Sequence, residues 1–116
     1  MSSLPKPLRG EIWLIGFDPV EGHEQSGTRP GLVVSINALN QSPAEIAIVM
    51  PLTSRGRAVP SRVRVGPPEG GVITESFVIT EGVRSVSTRR FVKRYGIVQP
   101  STMESVETQL RRLLGL

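Results

Sequence analysis

The chain has 116 residues, enough for one core and too few for two, and its 38% apolar and 21% charged residues are those of a globular chain rather than a disordered one. It contains no cysteine and a single histidine, His23, which excludes disulfides, thiolate metal centres, cysteine nucleophiles and any site built on two histidines. The formal net charge is +4, and only Lys6 and Lys93 among its cations are lysines. The planar donor fork of arginine suits phosphate, so an anionic partner is expected.

Residues 1–8 are expected to be a flexible N-terminus to a single domain spanning 1–116. They lack the apolar core of an export signal, and no run in the chain approaches membrane-spanning length, so a cytoplasmic protein without a membrane partner is expected. Strands are predicted at Glu11 to Phe17 and Gly31 to Ile36, two short β-branched runs bounded by Gly and Pro. Between them, Asp18 to Pro30 reads as a long polar loop, a type that often carries function. Further strands are predicted at Glu45 to Leu52, Ser61 to Val65, Ser76 to Thr80 and Tyr95 to Val98, with turns at Ser54 to Arg57 and Gly66 to Gly71. Trp13, between Ile12 and Leu14, is expected in the core or at a dimer contact, not in a site. The C-terminal helix opens on a predicted capping box, Ser101 to Glu104, after Pro100. Met103, Val106, Leu110, Leu113 and Leu114 then form an apolar stripe suited to packing on a sheet. Many short strands and one terminal helix predict a mainly β, barrel-like fold of mostly antiparallel strands closed by that helix.

Two regions carry candidate chemistry. From Arg84 to Arg94 the chain holds Arg84, Arg89, Arg90, Lys93 and Arg94 with no acid among them, next to Phe91 and Tyr95, a pattern that suits phosphate tracking with base stacking. The loop His23-Glu-Gln-Ser-Gly-Thr-Arg-Pro30 gathers an imidazole, a carboxylate, an amide and a guanidinium. On these residues the chain resembles the MazF/PemK/Kid toxins. Arg9 to Ser35 (RGEIWLIGFDPVEGHEQSGTRPGLVVS) is similar to their N-terminal pattern of a Gly-acid-hydrophobic-Trp strand, an Asp-Pro turn and Glu-Gln-x-Gly-x-Arg-Pro. Met50 to Ser54 (MPLTS) and Phe77 to Phe91 resemble the second and third blocks.

The resemblance implies an SH3-like toxin barrel, a homodimer, and a metal-independent endoribonuclease without cofactor that cuts single-stranded RNA and is restrained by an antitoxin with an acidic, disordered tail. Its essential arginine falls on Arg29 and its hydroxyl on Thr53, with Glu24 and Gln25 in the same loop motif and His23 where some members carry histidine. In the third block Glu81-Gly82 stand where many members have Asp-Gln. Gln25, Thr28, Ser54, Arg84, Arg89 and Arg90 are expected to contact RNA. Metal-free cleavage through the 2'-hydroxyl builds negative charge on a five-coordinate phosphorus, which a guanidinium stabilises well. A guanidinium offers donors and no acceptor, so the base is sought among Glu24, Glu81 and His23. A gyrase-poisoning toxin of the CcdB type and a non-catalytic SH3-like RNA-binding module are the alternatives.

Overall fold

The computed structural model describes residues 5–17, 27–56 and 59–116. Seven strands form one sheet: β1 (Glu11–Phe17), β2 (Gly27–Val33), β3 (Ile46–Thr53), β4 (Arg62–Val65), β5 (Ser76–Ile79), β6 (Arg84–Ser87) and β7 (Phe91–Ile97). A single helical turn, α1 (Asn37–Asn40), precedes β3, and α2 (Pro100–Leu114) ends the chain. The strand order is β4-β5-β3-β2-β1-β7 with β6 paired to β3, and every pairing is antiparallel. The expected class, mostly antiparallel β with a C-terminal helix, is the one observed.

Alternation along the strands divides the apolar residues between two cores, one on each face of the sheet. On one face, Ile12, Leu32, Met50, Leu52, Val65 and Val78 meet Met103 and Val106 of α2. On the other, Ile15, Phe17, Val33, Ala47, Val49, Val86 and Phe91 pack together with Trp13 on their rim. Trp13 thus belongs to a core, its ring edge-on to Phe91 at 5.5 Å between centroids.

The two edge strands of the path, β4 and β7, are brought together by the turn that follows β4. Gly71 (φ +76°) lies so close to β7 that a Cβ there would stand 2.2 Å from the Tyr95 carbonyl oxygen. Only a glycine permits that backbone-to-backbone approach. The contact curls the sheet toward closure, and α2 covers the open end.

Several predicted boundaries move. β2 begins at Gly27 rather than Gly31, taking Thr28, Arg29 and Pro30 out of the loop and into the strand. Pro30 is tolerated because β3 pairs with β2 only from Gly31 onward, leaving one edge of β2 open beside it. The strand predicted from Tyr95 starts at Phe91, and β6 was not predicted. The capping box at Ser101 to Glu104 does not form. Pro100 occupies the first helical position, where its fixed φ and missing N–H suit it, so Ser101 lies inside the helix. The N-terminus is capped from a distance instead: Glu69 Oε2, in the turn after β4, accepts the Gln99 amide at 2.9 Å and the Thr102 hydroxyl. Of the predicted stripe, Met103 and Val106 are buried and Leu110 is half-buried, but Leu113 and Leu114 are 45% and 58% exposed because the last turn outruns the sheet. Within the segment expected to be flexible, Pro7 is buried, and its carbonyl accepts the Gln41 side-chain amide at 3.0 Å.

Candidate active site

The register of the central ladder determines what meets at the mouth of the sheet. β2 and β3 pair Gly31 with Pro51, Leu32 with Met50 and Val33 with Val49. Continued outward by two residues, the same register sets Arg29 opposite Thr53. Both residues line one cleft of about 420 Å³, a size that suits a small polar ligand or a nucleotide fragment. Thr28 and Pro30 contribute from β2, Leu52 from β3 with Ser54 and Arg55 just after it, Val72, Ile73 and Thr74 from the stretch before β5, Ser76 from β5 and Tyr95 from β7. Thr53 Oγ1 accepts the Arg55 amide at 3.1 Å, which fixes the hydroxyl rotamer and leaves its proton to be given elsewhere.

Five of the residues singled out in the sequence therefore converge: Thr28, Arg29, Thr53, Ser54 and Tyr95. His23, Glu24 and Gln25 lie outside the described residues. Glu81 is not part of the cleft. Thr53 pairs with Phe77 at the start of β5, whereas Glu81 follows the far end of that strand, where its carboxylate accepts the Ser61 hydroxyl at 3.0 Å and lies 3.5 Å from the Arg62 guanidinium.

The basic run is likewise distributed rather than gathered on the cleft. Arg84 stacks over the Phe17 ring, its Cζ 5.4 Å from the centroid. Arg89 pairs with Glu45 at 3.2 Å, and Arg94 with Glu11 at 2.5 Å. A stretch without acids in sequence thus meets, in space, Glu11 of β1 and Glu45 just before β3. Arg90 is exposed beside Arg89 at the turn into β7. Of the two aromatic residues named as stacking groups, Phe91 is 4% exposed and belongs to the core, while Tyr95 reaches the cleft. Arg55, Ile73 and Thr74 were not anticipated. Arg55 directly follows Thr53-Ser54 and was within reach of the motif, but Ile73 and Thr74 sit in a turn-rich stretch with no chemical signal of its own.

One carboxylate near β7 has a displaced pKa. Burial of Glu11 acts to raise it, but hydrogen bonds from Arg94, Trp13 and the Leu8 amide, with the charge of Arg94, outweigh burial and hold it below the usual 4.5. Trp13 Nε1 donates to this carboxylate at 2.9 Å and the Leu8 amide at 2.8 Å.

The chain is similar to proteins of known activity. Endoribonuclease PemK of Escherichia coli is 36% identical over 108 residues, covering 91% of this chain and 80% of the relative. The crystal structure of MazF (Form-I) from Deinococcus radiodurans superposes with a TM-score of 0.84 at 29% identity, over 97% of this chain and 99% of that one. A mycobacterial endoribonuclease in complex with its cognate antitoxin matches with a TM-score of 0.77 at 28% identity, over 95% and 96% of the two chains. The model of the PemK-like, MazF-like toxins of type II toxin-antitoxin systems matches residues 8–114, and with that match over nearly its whole length the chain belongs to this toxin family.

Proposed function

We propose that this toxin is a sequence-selective, metal-independent endoribonuclease of single-stranded RNA. Relatives named endoribonucleases support the activity, and the observation that carries the chemistry is the convergence of Arg29 and Thr53 on one cleft. The 2'-oxygen attacks the adjacent phosphorus and gives its proton to a base. The P–O5' bond breaks, and the 5'-oxygen takes up a proton to leave a 5'-hydroxyl and a 2',3'-cyclic phosphate. Arg29 stabilises the negative charge gathering on the phosphoryl oxygens, and the Thr53 hydroxyl donates to one of them. With Glu81 engaged by Arg62 and Ser61 outside the cleft, the base is assigned to the sequence motif that precedes Arg29, on Glu24 or His23. Gln25, Thr28 and Ser54 contact the RNA around the cut, and Arg84, Arg89 and Arg90 its phosphates farther away. The protein acts in the cytoplasm as a homodimer, and a cognate antitoxin lays an acidic, disordered tail on its basic surface. Solved complexes of similar toxins with their antitoxins support that partner.

The test is cleavage of a long mixed-sequence RNA in EDTA by wild type and Arg29→Ala. Losing one donor to the developing charge lowers cleavage by roughly a hundredfold or more. Binding to RNA carrying 2'-deoxy substitutions at the cut sites changes only modestly. An Arg29→Ala protein that cuts near the wild-type rate removes Arg29 from the mechanism, and no cutting by wild type overturns the activity.

A further inference from the structure

We propose that Ile73, with Tyr95, forms the base-contacting wall of the cleft and sets the sequence preference at a nucleotide adjoining the cut phosphate; this rests on the ribonuclease reading above. Ile73 is 95% exposed, and a lone exposed apolar side chain is ordinary on a protein surface. This one lines the same cleft as Arg29 and Thr53.

Its backbone is anchored on both sides. Val72 before it is buried in the core shared with α2, and Gly71 is pressed onto the Tyr95 carbonyl. After it, the Ser76 hydroxyl donates to the Thr74 carbonyl at 2.9 Å as β5 begins. The side chain is β-branched and stiff at χ1, so a pinned backbone presents it in a narrow range of positions. Tyr95 reaches the same cleft and packs by its other side against the core. The cleft thus combines an aliphatic surface, an aromatic ring and the polar Thr74 with a guanidinium and a hydroxyl.

Single-stranded RNA divides its chemistry the same way. Its phosphates seek charge and donors, and its unstacked bases seek apolar and aromatic faces with a polar group at the edge. A nucleotide placed with its phosphate on Arg29 and Thr53 turns its base toward Ile73 and Tyr95. Preference among bases is then a matter of how each fills this wall, separate from the groups that do chemistry.

The experiment maps cut sites on a long mixed-sequence RNA in EDTA for wild type, Ile73→Ser and Ile73→Leu, with the mass of each protein in solution measured alongside. Ile73→Ser is expected to relax the base preference at one position next to the cut by roughly fivefold or more, the scale of losing a side-chain contact in a selective pocket. Ile73→Leu keeps an apolar surface there and retains much of that preference. If Ile73→Ser cuts with unchanged base frequencies, the inference is overturned. Unchanged frequencies with an altered solution mass would also overturn it, placing Ile73 at a contact between copies. Absence of cutting by wild type is a different result, which removes the ribonuclease reading and this inference with it.

Discussion

Glu11 shows how much one buried carboxylate holds together: the Leu8 amide ahead of β1, the indole of Trp13 and the Arg94 guanidinium of β7 all donate to it. Its folded pKa is depressed below 4.5, so its stabilising contribution is complete above the unfolded value and is lost as pH falls through the folded one. Glu11→Gln should therefore lower stability by about 1–3 kcal/mol at pH 7, with a smaller difference from wild type at strongly acid pH. Urea denaturation at the two pH values measures both. The base is a second question at this scale. If Glu24 takes the 2'-hydroxyl proton, the limb of the single-turnover pH profile lies in the acid range and survives in His23→Gln. If His23 takes it, a limb near the ordinary histidine value of about 6.5 disappears in that variant. The loop motif and its resemblance pointed to Arg29 and Thr53, but they stand 24 positions apart, and no local pattern reports that a ladder pairing Gly31 with Pro51 aligns them. Glu81 shows the converse, since its place in a motif block gave no sign that Ser61 and Arg62 would engage it.

Among the elements, those legible in the sequence are the ones with a continuous apolar run or, as in β4, apolar residues in alternation. β1 is found at its predicted limits, and β3 is displaced by one residue. β6 (RSVS) contains one apolar residue, too few for alternation to register, and exists because β3 offers it an edge. The helix cap was misread for a physical reason: Ser-x-x-Glu spacing is local, whereas the acceptor used here comes from Glu69, thirty residues before Gln99. Two substitutions separate these alternatives. Glu69→Ala should cost about 1 kcal/mol, the usual value of an N-terminal cap, and Ser101→Ala less than about 0.5 kcal/mol, as for an ordinary surface change. Midpoints of urea unfolding for both variants decide it, and equal effects would return the cap to Ser101.

For the whole molecule, the distribution of charge matters more than its sum. In sequence the run from Arg84 to Arg94 reads as a concentrated cationic stripe, but Glu45, just before β3, and Glu11 of β1 reach Arg89 and Arg94. The positive field of that run is correspondingly reduced. Replacing Arg89 and Arg90 together by Gln should weaken RNA binding and reduce the slope of log affinity against log salt by about 1, below the roughly 1.4 of two fully engaged phosphates on a single strand. An unchanged slope would assign both arginines to structure or to the antitoxin. The pairing of β1 with β7 bears on when activity can appear. Glu11 lies opposite Ile97 and Ile15 opposite Phe91, so the sheet that presents the cleft is completed only by the strand synthesised after the other six, and Tyr95, which lines the cleft, arrives with that strand. A nascent chain emerging from the ribosome has Arg29 and Thr53 long before it has a site. The completed cleft, and any activity that depends on it, therefore waits on the synthesis of β7.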